Sequence, residues 1–370
     1  MATLYFHIPF CKRICSYCDF YKVGAIELLP RVVEQMHKEL DERSNFLEDR
    51  AISSIYFGGG TPSLLPPEDI ESLIAHARRL FDCSAVSEIT IEANPDDITP
   101  EYVEALSHTS VNRLSLGIQS FDDEVLRFMN RRHTAEGAER AVRMLRKAGY
   151  DNLSIDMIFG VNGFGDDHLE ASLQRAIALG VEHISAYHLT IEERTRLGVM
   201  VRKGEYRPVD EERSEVEFMR VHDVLTAARY DHYEVSNFAR DGRYAQHNSA
   251  YWRGVPYLGI GAGAHSFSGD RRVWCDSTAK EYSEGVFRYG DEALSAIDHL
   301  NEYVMISLRT SRGIDLDFIE ERYGEEQRRR VEQSAEAWLA SGALQRADNR
   351  VVIPSERFLL SDAIIESLFA

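Results

Sequence analysis

Short apolar runs alternate with longer segments of helical periodicity through roughly the first 265 residues of the chain. The apolar runs predict strands, and the amphipathic segments between them predict helices. The predicted strands are residues 4–8, 52–57, 88–92, 113–118, 152–158 and 183–189, with 233–235 as a further candidate. The predicted helices are residues 30–47, 67–81, a segment starting at Thr99-Pro100, 122–129, 134–148, 166–179 and 210–228.

This regular alternation predicts an α/β fold with a parallel sheet and crossover helices. The sheet is expected to close fully or partly, as in a (β/α) TIM-type barrel. Functional residues of such folds lie at the C-terminal ends of the strands. The motifs described below all follow predicted strands, which supports this layout.

Beyond about residue 270 the pattern changes to helices and one short pair of strands. Helices are predicted at residues 301–307, 318–323, 327–341 and 361–369, and the strand pair at 342–344 and 350–354. We therefore expect two domains: a barrel at residues 1–270 and a smaller, mainly helical, winged-helix-like domain at residues 271–370. The boundary itself is expected between residues 265 and 295.

Composition narrows the class of protein. The chain has 370 residues, of which 44% are hydrophobic and 28% charged, which excludes intrinsic disorder as the main description. The net charge of −19 disfavours a nucleic-acid partner. The N-terminus does not resemble a signal peptide, and no apolar run is long enough for a transmembrane helix. We expect a cytoplasmic protein whose thiols stay reduced; peripheral association with the inner membrane face stays open.

Three of the five cysteines lie within eight residues, after the first predicted strand: Cys11, Cys15 and Cys18. An odd number of cysteines in a reducing compartment argues against a disulfide framework. Soft thiolates suit an iron–sulfur cluster, and three of them would leave one iron of a 4Fe–4S cluster open. A zinc site, with His7 as a fourth ligand, and three unrelated thiols are the alternatives. Cys83 and Cys275 are expected to be inert.

The Cys-x3-Cys-x2-Cys spacing after a first strand resembles the radical S-adenosylmethionine (SAM) family. The resemblance implies a barrel that holds a 4Fe–4S cluster, with SAM chelating the open iron through its amino and carboxylate groups. It also implies that one electron from the cluster cleaves the sulfonium. Gly58-Gly59-Gly60-Thr61-Pro62 follows a predicted strand and resembles the segment that holds the methionine amino group. By itself, a glycine triplet is as often only a tight turn.

Within that family, Tyr5-x-His7-Ile8-Pro9-Phe10-Cys11 resembles the cluster entry of oxygen-independent coproporphyrinogen III oxidase and its relatives. Polar residues recur at strand ends, where carboxylates can accept hydrogen bonds from ribose hydroxyls or an ammonium, and Arg can pair with a carboxylate. Structural salt bridges or caps are the alternative for each single residue. The resemblance implies the following cofactor-binding residues: Tyr5, Tyr17, Gly59, Gly60, Thr61, Glu92, Gln119, Arg131 and Asp156.

The sequence departs from the oxidase pattern after the third cysteine. Cys18 is followed by Asp19-Phe20-Tyr21, whereas the oxidase pattern continues with Gly-Cys, and the Cys-Asp-Phe continuation resembles the HemW-like haem chaperone branch. The stretch His247-Asn248-x2-Tyr251-Trp252 matches a motif linked to haem binding in that branch. The resemblance implies haem contacts at His247, Tyr251 and Trp252, with His265 as a second histidine candidate. An aromatic cluster at the bottom of the barrel, with His247 hydrogen-bonded to backbone, is the alternative.

The resemblance therefore implies a haem chaperone that binds haem and a SAM-ligated 4Fe–4S cluster and delivers haem to an acceptor protein. Implied partners are haem or porphyrin, the acceptor, and an electron donor such as flavodoxin or ferredoxin. The first alternative is an enzyme that oxidatively decarboxylates coproporphyrinogen III. The second is a non-enzymatic zinc-binding protein. The sequence leaves open whether SAM is cleaved or only bound.

Overall fold

A computed structural model describes residues 1–164 and 167–370. One continuous mixed sheet forms the larger part of the protein, and it contains strands at each of the strand positions predicted in the first 265 residues. Its strands are β1 (Ala2–Ile8), β2 (Ile52–Gly59), β3 (Glu88–Ala93), β4 (Arg113–Gln119), β5 (Leu153–Phe159), β6 (His183–His188), β7 (Asp231–Glu234), β8 (Asn237–Ala239), β9 (Tyr257–Ile260), β10 (His265–Phe267), β11 (Arg271–Cys275) and β12 (Tyr289–Ala293).

The strand order is β12-β11-β10-β9-β1-β2-β3-β4-β5-β6-β8-β7, and the run from β9 to β6 is parallel. In the described part of the chain, no pairing joins the edge strands β12 and β7, so the barrel is partial. The carboxyl ends of β1–β6 lie together at one edge, which we call the upper edge. The start of β1, where Thr3 pairs with Tyr257 of β9, belongs to the opposite, lower edge.

Helices cross between the strands as the alternation predicts. They are α1 (Leu29–Glu42), α2 (Pro67–Leu80), α3 (Pro100–Ser107), α4 (Asp123–Phe128), α5 (Ala135–Lys147), α6 (Asp167–Ala178), α7 (Arg196–Arg202), α8 (Glu211–Ala227), α9 (Gln246–Tyr251) and α10 (Ala279–Ser283). Thr99 caps α3 by accepting a hydrogen bond from the Tyr102 amide at 3.1 Å. The predicted helix 166–179 starts at Asp166, which lies outside the described residues.

The end of α1 differs from the prediction. The helix ends at Glu42 rather than at residue 47, because the chain turns at Arg43 and the Phe46 amide donates to the Arg43 carbonyl at 2.9 Å. Leu47 is nevertheless buried in the core, and Phe46 packs against it. The spacing of apolar residues up to Leu47 therefore predicted burial correctly, but its prediction of the length of α1 was wrong.

The C-terminal region is mainly helical with a small antiparallel sheet, as predicted. Its elements are α11 (Ala296–Leu308), α12 (Leu316–Tyr323), α13 (Glu325–Ser341), α14 (Ser361–Leu368), β13 (Ile314–Asp315), β14 (Gln345–Ala347) and β15 (Arg350–Val352). Gly342 ends α13 in a left-handed conformation, so the first strand of the predicted pair begins three residues later than expected.

The main sheet continues past residue 270, because β11 pairs with β10 and β12 pairs with β11. The division at 270/271 stays a prediction, and the end of β12 at Ala293 falls within the expected 265–295 interval. Within the described residues, none of the helices is both long and apolar enough to cross a lipid bilayer.

Candidate functional site

The loop after β1 presents the three clustered cysteines at the upper edge. Cys11, Cys15 and Cys18 are free thiols and half-buried. The loop is anchored in its middle by Ser16, whose amide donates to the Met129 carbonyl at 3.0 Å. The strand, the anchor and the loop together fix three soft ligands near the ends of the parallel strands.

Two side chains from other elements touch these thiols. The Thr61 hydroxyl donates to Cys11 Sγ at 3.5 Å, and Arg131 Nη1 donates to Cys15 Sγ at 3.2 Å. Burial raises the pKa of Cys11, and the hydrogen bond from Thr61 acts against that rise. A hydroxyl donor and a guanidinium both favour the thiolate form that binds metal.

Within residues 1–164 and 167–370, no three His, Cys, Asp or Glu side chains converge as a single metal ion would require. In a cubane cluster each thiolate binds a different iron, so cluster ligands do not need to converge on one point. The spread of the three cysteine side chains is therefore compatible with a cluster.

The glycine triplet packs directly against the start of the cysteine loop. The Gly60 amide donates to the Ile8 carbonyl at 2.8 Å, and a Cβ on Gly60 would lie 2.7 Å from the Phe10 carbonyl oxygen. Gly59 has a φ of 109°, which strongly favours glycine. The triplet is thus required sterically for the close approach of β2 to the loop after β1.

Two buried carboxyl groups follow on the next strands. Glu92 accepts hydrogen bonds from the Tyr56 hydroxyl at 2.8 Å and from the Gly59 amide at 3.1 Å. Burial, with a smaller contribution from the charge of Asp156, raises the pKa of Glu92 to about 7. Burial also raises the pKa of Asp156, which accepts from the Ser115 hydroxyl at 3.3 Å. Both groups can accept hydrogen bonds from a polar ligand.

Gln119 and Arg131 both lie beside Gly117 near the end of β4, and Arg131 reaches the cysteine loop. Gln119 is buried at the end of β4 with a φ of 73°, an unfavourable conformation for a residue other than glycine. Arg131 also donates to the Gly117 carbonyl, and its Nε is buried without a partner among the described residues. Strained backbone and an unpaired buried donor are typical of a site that binds a ligand. Tyr17, on the cysteine loop, packs against the apolar cluster beside this site.

Tyr5 and His7 extend from β1. The Tyr5 hydroxyl and His7 Nδ1 share a hydrogen bond of 2.9 Å, and the Tyr5 ring stacks on Tyr56 with 6.1 Å between centroids. Burial lowers the pKa of His7 to about 4. His7 Nε2 is buried and lacks a partner in the described part of the chain. Sequence reasoning considered His7 only as a zinc ligand; its position beside Gly59 makes it a second unsatisfied polar group of the upper site.

The histidine of the His-Asn-x2-Tyr-Trp motif lies deep at the lower edge. Its Nδ1 shares a 2.9 Å hydrogen bond with the Ser54 hydroxyl, and its Nε2 shares one of 2.9 Å with the Tyr251 hydroxyl. His247 is 1% exposed, and burial lowers its pKa to about 3. The cysteine loop thus lies at the upper edge and His247 toward the lower edge, and Tyr56 links the two: it stacks on His247 with 4.9 Å between ring centroids and donates a hydrogen bond to Glu92.

Comparisons with known proteins agree with this geometry. The chain matches the radical SAM superfamily over residues 5–176 and the HemN C-terminal domain over residues 294–359. It is 32% identical to the haem chaperone HemW of Lactococcus lactis, covering 87% of this chain and 85% of the relative. It is 35% identical to the haem chaperone HemW of Escherichia coli, covering 71% of this chain and 69% of the relative. The chain belongs to the HemW family of radical SAM proteins.

A solved structure supports the fold of this HemW family member along its whole length. Coproporphyrinogen III oxidase (HemN) from Escherichia coli, described as a radical SAM enzyme, matches with a TM-score of 0.84. The match covers 100% of this chain and 90% of the other, at 22% identity. The likeness establishes the shared fold, including the partial barrel and the helical C-terminal region.

Sequence reasoning missed a cleft at the lower edge of the HemW fold. The cleft has a volume of about 420 Å³ and lies where α9 and β9 face α11 and α12. Among its lining residues are Arg253, His299 and Arg322. These come from separate parts of the chain and share no spacing that could have marked them.

Proposed function

We propose that this protein binds haem and delivers it to an acceptor protein, and that its barrel carries a 4Fe–4S cluster with bound SAM. The observation that carries the proposal is identity of 32% and 35% to proteins named haem chaperones, over most of both chains. The likeness to the oxidase, at 22% identity, supports only a common fold. Cys18-Asp19-Phe20 also departs from the oxidase pattern.

The upper site fits such a cluster. Cys11, Cys15 and Cys18 would each hold one iron, and SAM would occupy the fourth. Thiolates are the usual ligands of iron–sulfur clusters, and the hydroxyl and guanidinium contacts described above favour the thiolate form. When bound, the cluster and SAM supply one-electron chemistry at the sulfonium of the nucleotide.

The residues around the cysteines would orient SAM rather than react. Glu92 and Asp156 offer carboxylate acceptors, and the unpaired Arg131 Nε and His7 Nε2 offer nitrogen atoms for polar contacts. Gly59, Gly60 and Thr61 would let the backbone at the end of β2 approach SAM closely. Tyr5, Tyr17 and Gln119 complete the proposed set of cofactor-binding residues.

For haem, His247, Tyr251 and Trp252 remain proposed contacts, but their side chains differ in access. His247 is buried with both ring nitrogens hydrogen-bonded, so direct ligation of iron there would first require breaking one of those bonds. Tyr251 and Trp252 line the lower cleft. Contacts through these two aromatic side chains need no such rearrangement.

The remaining parts of the proposal concern partners and location. We propose a cytoplasmic protein, peripheral at the inner membrane face when it meets its acceptor. A flavodoxin or ferredoxin is the proposed electron donor to the cluster. The net charge of −19 favours a partner with a basic surface, since complementary charge speeds encounter.

Anaerobic reconstitution followed by two parallel assays tests the function. Haem titration monitored in the Soret region is expected to show saturable, stoichiometric binding. Incubation with coproporphyrinogen III, SAM and a reductant is expected to yield no protoporphyrinogen. SAM-dependent formation of protoporphyrinogen would instead establish the oxidase alternative, and absence of saturable haem binding would overturn the chaperone function.

A further inference from the structure

The lower cleft combines a concave shape with aromatic walls. Its volume of about 420 Å³ lies in the range of small-molecule and cofactor sites. Tyr251 packs on Tyr257 with 4.7 Å between ring centroids, and Tyr303 packs on Phe318 with 4.5 Å. Phe318 is 41% exposed although it is a large apolar side chain. Flat aromatic surfaces of this kind suit a flat apolar macrocycle.

The cleft also carries positive charge that the protein itself does not neutralise. In residues 1–164 and 167–370, neither Arg253 nor Arg322 pairs with a carboxylate, whereas Arg272 pairs with Glu302. Burial, with a smaller contribution from the charge of Arg312, lowers the pKa of Arg253. Unpaired arginines are unexpected in a chain of net charge −19. Guanidinium groups bind carboxylates in a bidentate manner, so a ligand with carboxylate substituents would complete the site.

Two side chains of the cleft have nitrogen atoms without a hydrogen-bond partner among the described residues. The indole Nε1 of Trp252 is buried without a hydrogen bond among the described residues. His299, on α11, is half-buried and makes no side-chain hydrogen bond or ion pair in the described part of the chain. His247, by contrast, has both nitrogens bonded. His299 is therefore the imidazole that is available to coordinate iron from inside this cleft.

We propose that the lower cleft holds the haem, with His299 as its axial ligand and Arg253 and Arg322 as the partners of its propionates. Trp252 and Tyr251 then act as a wall of the site, which gives the motif a role that does not require ligation by His247. This inference rests on the proposed haem-binding function and adds the site and the ligand.

The location separates haem from the cluster. The cleft includes Tyr257, which pairs with Thr3 at the start of β1, while the cysteine loop begins after its end. Thr3 and Phe10 are seven residue steps apart, which corresponds to roughly 20 Å of extended chain.

Three variants of the cluster-loaded protein test the site: His299→Ala, the double variant Arg253→Gln/Arg322→Gln, and His108→Ala as a control at an exposed histidine outside the cleft. Each is titrated with haem and, separately, with iron-free protoporphyrin IX. Loss of the axial ligand is expected to raise the haem Kd roughly tenfold or more and to shift the Soret band. His299→Ala is expected to leave protoporphyrin IX binding unchanged, because that ligand has no iron.

The arginine double variant is expected to weaken binding of both tetrapyrroles, and His108→Ala is expected to weaken neither. Iron and sulfide contents and thermal unfolding confirm that each variant is folded. If His299→Ala weakens both ligands equally, or neither, the proposed axial ligand is wrong. If wild-type protein binds no haem at all, the proposed function fails instead; if wild type binds haem and all three variants match it, only the site is overturned.

Discussion

Gln119 has a strained backbone and lies at the upper site. Its effect on the free energy of unfolding and its effect on SAM binding can be measured separately. A left-handed conformation costs an ordinary residue roughly 1–2 kcal/mol, which glycine avoids. We expect Gln119→Gly to have a free energy of unfolding about 1 kcal/mol higher than Gln119→Ala, because only glycine relieves the φ of 73°. Both variants lose the amide and are expected to bind SAM more weakly than wild type. Urea unfolding and equilibrium dialysis measure the two effects.

The comparison of Gln119→Gly with Gln119→Ala contains its own control, since both lack the same side chain. Equal stability of the two variants would contradict the expectation that glycine relieves backbone strain at position 119. Wild-type SAM affinity in both would remove Gln119 from the cofactor site.

Cys15 is the cluster cysteine that Arg131 contacts, and Cys83 is a half-buried thiol far along the chain from the motif. Cys15→Ser is expected to lose most of the reconstituted iron and sulfide, because a hydroxyl is a poor ligand for an iron–sulfur cluster. Cys83→Ser is the matched control and is expected to keep wild-type contents. Retention of a full cluster by Cys15→Ser would contradict the ligand assignment.

The contact between the glycine triplet and the cysteine loop is a property of two elements, β2 and the segment after β1. Gly60→Ala would place a Cβ 2.7 Å from the Phe10 carbonyl oxygen and 2.8 Å from that of Ile8, so backbone must move. Overpacking of this kind costs about 1–3 kcal/mol. We expect a lower melting temperature and a reduced cluster content after reconstitution.

Gly24→Ala is the control for this substitution. Nothing lies within 4 Å of a Cβ at Gly24, and its φ is not in the left-handed region. It is expected to unfold at the wild-type temperature with a full cluster. Wild-type behaviour of Gly60→Ala would show that the loop tolerates displacement from β2.

At the scale of helices and strands, the sequence predicts where these elements occur better than it predicts where they end or what they contact. Alternation of apolar runs and amphipathic segments identifies the parallel strands, because burial on both faces leaves a direct trace in sequence. The early end of α1 leaves no such trace, since Leu47 is buried whether its segment is helical or not. The hydrogen bonds of His247 to Ser54 and Tyr251 depend on how β2 and α9 meet, which no local pattern encodes.

Over the whole molecule, buried titratable groups of both signs shape the dependence of stability on pH. Burial lowers the pKa of His247 to about 3, so its contribution to stability is complete above pH 6.5 and is lost as pH falls toward 3. Burial raises the pKa of Glu92 and of Glu234 to about 7, so their contributions are lost as pH rises from 4.5 through 7. Because these two effects oppose each other, the free energy of unfolding of the wild-type protein is expected to change little with pH. A variant that lacks one of the groups is needed to measure that group's contribution.

His247→Gln removes a single titration. Between pH 7.5 and pH 5.5, wild type is expected to lose about 1.4 kcal/mol relative to this variant, since only the unfolded wild-type chain takes up the extra proton. Urea unfolding at the two pH values measures the difference. The exposed His108 provides a surface control, His108→Gln, measured at the same two pH values. A constant offset between wild type and His247→Gln would mean that His247 titrates normally in the folded state.

The barrel is proposed to serve two ligands at opposite edges, and the account depends most on the cluster at the upper one. Electron paramagnetic resonance of the anaerobically reconstituted and reduced protein, recorded with and without SAM, tests it directly. The account predicts a 4Fe–4S signal whose g values change when SAM binds the open iron. A cluster signal that saturating SAM leaves unchanged, or a protein that takes up zinc but no sulfide, would contradict it.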